Sequence, residues 1–248
     1  MEVVAGTHAA HNRERFSSLT LQEHEYFRWQ SEKVNLIVST LKGLGPSGAL
    51  ADIGCFTGMS TAAYRATGFE RAVGFDLSGD ALELAAARGI EPRLWHIGEE
   101  PCPAAQSEFS CVIAADIIEH LVDTDEFLWE VRRILKPNGF LILTTPNLGF
   151  WLSRLRLLFG KTPWSYPGAS STVKDDLMVD LNHIRITTGR EWEALFRARS
   201  FSVEKKLGWT ILGAKGDQFG VRARRWIDGW ATKFPDLAYG LLFVLKKT

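Results

Sequence analysis

The feature that most constrains the fold of this chain is a run of seven almost wholly apolar residues, Phe109–Ala115 (FSCVIAA). A strand with one face in water alternates apolar and polar residues, whereas a strand covered on both faces is apolar throughout. Four further short apolar segments alternate with helical patterns around this run. The alternation predicts a parallel, doubly wound sheet with right-handed crossovers and helices on both faces.

The predicted elements follow one another in a regular order. We predict strands at residues 49–53, 71–75, 92–97, 109–115, 140–145, 201–207 and 239–245. We predict helices at residues 21–44, 60–66, from 80 onward, 123–135, 148–159 and 190–199. Asp80 with Glu83, and Asp123 with Glu126, have the spacing of a capping box. Pro137-Asn138-Gly139 is expected to end the helix before the fifth strand.

Length and composition favour one domain, residues 1–248, in a reducing compartment. We divide it into an N-terminal helical cap (1–46), a core (47–147), an inserted lid (148–182) and C-terminal strands and helices (183–248). The three cysteines form no close pair and no metal-binding spacing, so neither a disulfide nor a metal site is expected. The first residues lack the apolar core of a signal peptide, which predicts a cytoplasmic protein.

The formal net charge is zero, and this argues against a nucleic-acid partner. Basic residues outnumber acidic ones between residues 183 and 233, a stretch that could face an anionic substrate or a membrane surface. Residues 148–159 form an apolar and basic pattern that could likewise rest weakly on a membrane, with Arg154 and Arg156 outward. The oligomeric state is left open.

A glycine-containing loop after the first strand carries the main functional signal. It reads Asp52-Ile53-Gly54-Cys55-Phe56-Thr57-Gly58. Glycines permit a tight turn and a close approach of a ligand, and a helix start favours an anionic group. Asp76 ends the second strand, where a carboxylate can accept hydrogen bonds from both ribose hydroxyls. Asp116 ends the fourth strand, so all three features are expected to face one nucleoside-binding crevice.

Four segments together resemble the successive motifs of class I S-adenosylmethionine-dependent methyltransferases. They are LADIGCFTG, AVGFDLS, FSCVIAADIIEHL and RILKPNGFLILTTPN. The Glu119-His120-Leu121 run is most similar to the branch that contains ubiquinone-type and other small-molecule methyltransferases. The resemblance implies a Rossmann-like, mostly parallel, seven-stranded sheet with an antiparallel last strand, and S-adenosylmethionine as cofactor.

The resemblance also assigns residues to parts of the cofactor. The loop of Asp52, Gly54, Cys55, Phe56 and Gly58 would lie along its methionine half. Asp76 would hold the ribose, Leu77 would pack on the adenine, and Asp116 would lie beside the methionine amino group. Arg28 matches loosely a basic residue that reaches the methionine carboxylate in similar enzymes. The family usually has a glycine in place of Phe56. After the third strand the family often has an aspartate that contacts the adenine, whereas this chain has His96-Ile97-Gly98-Glu99, so the adenine contact would come from the backbone or from Glu99.

His183 is the candidate catalytic base for a methyl acceptor with a hydroxyl group. It follows the inserted segment, and a histidine titrates near neutral pH. His120, directly after Glu119, is a weaker candidate. In some quinone methyltransferases that the chain resembles, acidic and histidine residues at this place attract a divalent metal. The expected reaction is O-methylation of a small molecule such as a natural product, a quinone precursor or a glycan, with N- or C-methylation as the alternative.

Three other functions were considered. A nicotinamide-dependent oxidoreductase would need the Gly-x-Gly-x-x-Gly spacing, and no middle glycine lies between Gly54 and Gly58. An RNA methyltransferase is disfavoured by the neutral charge. A cofactor-binding protein without turnover would be indicated if His183 lay far from the crevice.

Overall fold

The computed structural model describes residues 23–163, 183–210 and 226–248, with backbone only for residues 23–29. Its strands form one seven-stranded sheet in the order β3-β2-β1-β4-β5-β7-β6. The strands are β1 Ala49–Ile53, β2 Arg71–Asp76, β3 Glu91–Leu94, β4 Phe109–Ala115, β5 Leu135–Pro146, β6 Phe201–Trp209 and β7 Gly240–Lys247. Strands β1 to β5 pair in parallel, and β7 is antiparallel to both of its neighbours, β5 and β6. The predicted Rossmann-like sheet with an antiparallel last strand is confirmed.

Helices cover both faces of the sheet. They are α1 Glu23–Leu44, α2 Met59–Arg65, α3 Gly79–Ala87, α4 Thr124–Ile134, α5 Trp151–Leu158, α6 Gly189–Ala198 and α7 at residues 226–231. Helices α1, α2 and α3 pack on one face, and α4 and α6 pack on the other. Strand β1 supplies both layers, with Leu50 on the α1 side and Ala51 and Ile53 on the α4 side. Both faces of the central strands are therefore buried, as the apolar run at β4 predicts.

The capping prediction for α4 holds in part, and the one for α3 is wrong. Asp123 caps α4 by accepting hydrogen bonds from the amides of Asp125 and Glu126. Helix α3 begins earlier than predicted, because the Ser78 hydroxyl accepts a hydrogen bond from the Ala81 amide at 3.3 Å. A serine in extended conformation is as good an N-cap as an aspartate, so Asp80 lies inside the first turn instead.

Strand β5 also begins earlier than predicted, directly where α4 ends. Leu135 already pairs with Phe109, and the pairing then shifts so that Phe140 pairs with Cys111. The residues between them form an irregular excursion in which Asn138 has a φ of 63°. Pro137-Asn138-Gly139 therefore interrupts the strand rather than separating the helix from it. The β3 strand is shorter than predicted and ends at Leu94.

Among the helices of the described ranges, none is long and apolar enough to cross a membrane. Most of the segment predicted as a lid, residues 164–182, lies outside the described residues. The division of the chain into cap, core, lid and C-terminal part stays a prediction.

Candidate active site

The carboxyl ends of β2, β1 and β4 lie side by side, because β1 is the strand at which the sheet order reverses. Ligands of open α/β sheets bind at such a point. A crevice opens here between α1 and the loop after β1; its lining includes Lys33, Asp52, Gly54, Phe56, Thr57 and Tyr64. A cavity is therefore present at the predicted sheet edge, and its role in binding a nucleoside stays a prediction.

The two glycines of the loop are required by packing within the protein. Gly54 has a φ of 77°, and a Cβ atom there would lie 2.3 Å from Cδ1 of Ile117. Gly58 has a φ of 75°, and a Cβ atom there would lie 2.9 Å from the Cβ of Ala85 in α3. The first glycine lets the loop pass the segment after β4, and the second lets α2 approach α3. Close approach to a ligand is not needed to explain either glycine.

Asp76 is anchored at the tip of β2 by backbone amides. One carboxylate oxygen accepts a hydrogen bond from the Phe56 amide at 2.8 Å, and the other accepts one from the Ser78 amide at 3.0 Å. Burial raises the pKa of Asp76 above its usual range, while these amides counteract that effect. Phe56 has a φ of 49°, and this conformation directs its amide toward Asp76. The loop and the candidate ribose ligand therefore form one unit.

Asp52 lines the crevice from the end of β1 and is almost fully buried. The Thr61 hydroxyl of α2 donates a 2.5 Å hydrogen bond to it. Burial raises the pKa of Asp52 to about 7, and the negative charge of Asp76 adds to the effect. A cation beside Asp52 would lower this pKa, because it favours the charged form of the carboxyl group.

Asp116 is held in place from two sides. The Thr144 hydroxyl of β5 donates a 2.7 Å hydrogen bond to one oxygen, and the Lys33 ammonium of α1 forms an ion pair with the other. Burial alone would raise the pKa of Asp116, but Lys33 and Thr144 outweigh it and the pKa is lowered. Asp116 therefore carries a negative charge and already binds an ammonium group of the chain itself.

Lys33 is a site residue that the sequence analysis did not identify. It is 4% exposed, lines the crevice, and its ammonium lies 5.5 Å from the ring centroid of Trp209. The sequence does indicate that Lys33 is buried, because it lies four residues before Ile37 and eight before Leu41, on the buried face of α1. A lysine on an apolar face needs a partner of opposite charge. Arg28, the residue expected to reach the crevice, has its backbone in α1 and its side chain outside the described part of the chain.

Two histidines and a glutamate meet beside Asp116. The 3-10 turn Ile118–His120 follows β4, and the carbonyl oxygen of Glu119 accepts hydrogen bonds from the amides of Ile184 and Arg185. This connection places the His183 ring 4.8 Å, centroid to centroid, from the ring of His120. His183 is 8% exposed, and the charge of His120 contributes to the lowered pKa of Asp116. His183 and the weaker candidate His120 thus belong to one cluster near the crevice.

The remaining candidates have ordinary surroundings. Cys55 is buried, its thiol has a pKa raised by burial, and it packs against Gly74. Leu77 is half-buried directly after Asp76, and Glu99 is exposed. Trp209, one of the aromatic residues in the late part of the chain, lies in the core against Tyr239.

Comparison with known proteins decides the family. Residues 24–206 match a protein family described as "Methyltransferase domain". The chain belongs to this family. It is a class I S-adenosylmethionine-dependent methyltransferase, with S-adenosylmethionine as its cofactor. The residues present fit that cofactor, because Asp116 already binds an ammonium group, that of Lys33, and Asp76 offers a carboxylate at the end of β2.

Relatives of this methyltransferase act on different acceptors or are named only by family. It is 29% identical to human methyltransferase-like protein 27 over 58% of this chain and 64% of that protein. It is 33% identical to the ubiquinone biosynthesis O-methyltransferase of Caulobacter vibrioides over 40% of each chain. The chain therefore spans less than two thirds of the length of these relatives. A solved methyltransferase from Thermotoga maritima has the same fold, with a TM-score of 0.63 at 17% identity, over 94% of this chain and 98% of that one.

Proposed function

We propose that this methyltransferase transfers a methyl group from S-adenosylmethionine to a hydroxyl oxygen of a small molecule. The observation that carries the proposal is the cluster of half-buried His120 and buried His183 beside Asp116. Oxygen acceptors of high pKa need help in losing a proton, whereas a neutral amine does not. The likeness to a ubiquinone biosynthesis O-methyltransferase supports the same reaction.

The cofactor supplies a methyl group that is already activated on a sulfonium. The chain must therefore bind it, orient the acceptor and exclude water, and positioning alone can lower a barrier by roughly 7–11 kcal/mol. We assign the ribose to Asp76, the adenine face to Leu77 and the methionine amino group to Asp116. Lys33 lies in α1, carries a positive charge and lines the crevice. We therefore assign it to the methionine carboxylate.

Loop residues complete the proposed cofactor site. Asp52, Gly54, Cys55, Phe56 and Gly58 lie along the methionine half, with Asp52 as the carboxylate nearest to an incoming positive charge. Arg28 stays a second candidate for the methionine carboxylate. Helices α1 and α2 supply the rest of the crevice wall, with Lys33 from α1 and Tyr64 from α2.

His183 is our proposed catalytic residue. It is buried, it lies next to His120, and its loop is tied to Glu119 by two backbone hydrogen bonds. It would serve the acceptor by taking up the hydroxyl proton. A well-placed base contributes about 10²–10⁴ in rate.

The test is a survey of acceptors with the purified chain. Phenols, catechols, sugar alcohols and primary amines of similar size would be incubated with S-adenosylmethionine, and both S-adenosylhomocysteine and the methylated product measured by mass spectrometry. We expect products with the methyl group on oxygen. Methylation confined to the amines would overturn the proposal, and the His183→Ala variant separates enzymatic product from background.

A further inference from the structure

Asp116, to which we assign the amino group of the cofactor, already has an ammonium partner in the chain itself. One of its carboxylate oxygens forms an ion pair with the Lys33 ammonium, and the other accepts a hydrogen bond from the Thr144 hydroxyl. The side chains of Lys33 and Asp116 are both largely shielded from water. A cofactor that presents its amino group to Asp116 therefore has to take the place that the Lys33 ammonium occupies.

Of the two partners in this ion pair, Lys33 is the one that can move. Asp116 is fixed at the end of β4, because its amide donates hydrogen bonds to both the carbonyl oxygen and the hydroxyl of Thr144. A lysine ammonium, by contrast, lies at the end of a flexible stem. Lys33 lines the crevice from α1, and its ammonium lies 5.5 Å from the ring centroid of Trp209. It can therefore leave Asp116 and stay within the crevice, beside a ring whose face attracts cations.

A methionine moiety differs from a simple amine in what it offers this ion pair. An amine that binds Asp116 exchanges one ammonium for another, and Lys33 loses its ion pair at a site shielded from water. Separating a buried pair in this way is costly, because a charge is left without compensation. An amino group with a carboxylate beside it supplies a cation for Asp116 and an anion for Lys33, so that two ion pairs replace one. The exchange therefore favours the zwitterion over the amine.

Neighbouring carboxyl groups of the chain are poor substitutes for the carboxylate of the methionine moiety. The charge of Lys33 acts on Asp52 and Glu119, where it lowers the pKa. Burial outweighs this effect, raising the pKa of Asp52 to about 7 and the pKa of Glu119 well above its usual range. Neither group therefore offers a displaced Lys33 the full negative charge that Asp116 carries.

We propose that Lys33 restricts the cofactor site to ligands that carry the carboxylate of a methionine moiety. Its ammonium occupies the place of the cofactor's amino group on Asp116, and it gives up that place only to a ligand whose carboxylate binds Lys33 in return. Given the cofactor groups assigned in the proposed function, on which this selection rests, Lys33 is both a ligand of the cofactor and a competitor with it. Specificity of this kind is a difference between two affinities, and nucleosides that lack the carboxylate are the ligands rejected.

Three thioethers of adenosine test this selection without an acceptor or an activated methyl group. S-Adenosylhomocysteine carries the amino group and the carboxylate, its decarboxylated form carries the amino group alone, and methylthioadenosine carries neither. Isothermal titration calorimetry gives the three affinities. In the wild type, the decarboxylated amine should bind within about threefold of methylthioadenosine, and S-adenosylhomocysteine should bind at least about tenfold more tightly than both, as expected for hydrogen bonds between charged groups.

Lys33→Met removes the competitor and should change this order. With Asp116 open to any ammonium, the decarboxylated amine should bind at least about tenfold more tightly than methylthioadenosine, and the lead of S-adenosylhomocysteine over the amine should shrink. Circular dichroism checks that the variant is folded, and each ratio compares ligands within one protein. Lys42→Met, exposed on the same helix, is the matched control and should keep the wild-type order.

The ratio of the amine to methylthioadenosine decides the outcome. An advantage of about tenfold for the amine in the wild type would overturn the proposal, because Lys33 would not be competing for Asp116. Unchanged ratios in Lys33→Met would overturn it as well. Adding Asp116→Asn to Lys33→Met should remove the advantage of the amine again, and its persistence would place the amino group away from Asp116 and contradict the proposal.

Failure of the proposed function is seen in a different experiment. Methylation confined to amines in the acceptor survey would remove O-methylation, yet the three thioethers would still bind in the expected order. Methylation on oxygen together with unchanged ratios in Lys33→Met would do the reverse, and it would remove the role of Lys33 alone.

Discussion

The ammonium group of Lys33 is ion-paired with the carboxylate of Asp116, and this pair joins α1 to the carboxyl end of β4. The side chains of the two residues are only 5% and 21% exposed. Removing one partner of a buried pair leaves an uncompensated charge, which typically costs 3–5 kcal/mol. The pair therefore makes the position of α1 depend on the candidate active site.

Lys33→Met should lower the free energy of unfolding by about 3 kcal/mol, because Asp116 loses its cationic partner. Urea denaturation followed by circular dichroism measures this. Lys42→Met, in an exposed position of the same helix, is the control and should change stability by less than about 0.5 kcal/mol. Equal stability of the two variants would mean that the ion pair does not hold α1.

Asp76→Ala should weaken binding of S-adenosylhomocysteine by about 1.5–3 kcal/mol, the usual contribution of hydrogen bonds to a charged group. Calorimetry on the folded variant gives the value. Asp80→Ala removes an exposed carboxylate four residues further on, and it should bind normally. An unchanged affinity in Asp76→Ala would remove Asp76 from the cofactor site.

The pKa of Asp52, raised to about 7, predicts a pH dependence of stability. In the unfolded chain this carboxyl group loses its proton near pH 4, whereas the folded chain keeps the proton up to about pH 7. The folded state thus binds more protons in this window, and stability falls as pH rises through it. Relative to Asp52→Asn, which still accepts the Thr61 hydroxyl, the wild type should lose up to about 4 kcal/mol. Parallel stability curves for the two proteins between pH 4 and 8 would contradict the raised pKa.

Gly54→Ala should destabilise the chain by about 1–3 kcal/mol, because it creates both a clash with Ile117 and a left-handed alanine. Ile117→Val removes the Cδ1 atom, so the double variant should lose the clash but keep the backbone strain. The melting temperatures of the wild type, Gly54→Ala, Ile117→Val and the double variant are compared in a double-mutant cycle. Gly43→Ala, in α1 with no neighbouring atom within 4 Å, is the control and should not destabilise. A double variant no better than Gly54→Ala would mean that backbone strain alone is responsible.

His183→Ala and His183→Gln should both lower kcat by about 10²–10⁴ while the affinity for S-adenosylhomocysteine stays nearly unchanged. The reason is that we propose the acceptor to bind beside His183 and His120, whereas His183 does not form part of the crevice lining near Asp52. Single-turnover kinetics and calorimetry measure the two quantities. A Gln variant with the wild-type rate would assign His183 to loop structure only.

The sheet and the crevice could be predicted from sequence because the signals are local. An apolar run such as Phe109–Ala115 identifies a strand covered on both faces, and the loop around Gly54 reports the turn that follows β1. Strand order then follows from the crossover rules, and the strand ends that carry Asp76 and Asp116 meet at one edge.

Contacts between distant segments could not be predicted. Lys33 and Asp116 are 83 residues apart, and only the folded sheet brings α1 over the end of β4. Glu119 and His183 are likewise far apart in the sequence. They lie close together because the backbone carbonyl of Glu119 accepts hydrogen bonds from the two amides that follow His183. The cap of α3 was missed for a different reason: Ser78 and Asp80 are both good N-caps, and the choice depends on the local turn.

The position of β7 between β5 and β6 has a consequence for how the chain folds during synthesis. The first five strands, β1 to β5, pair with one another, so this part of the sheet can assemble as soon as β5 has been synthesised. Strand β6 pairs only with β7, and β7 is made after it. Until Gly240–Lys247 is available, the apolar edge of β5 has no partner strand, and an unpaired apolar edge invites aggregation. The same strand β5 carries Thr144, the hydroxyl that holds Asp116. Nascent chains that stop before residue 240 therefore expose this edge of β5, and we expect them to aggregate more readily than the full chain.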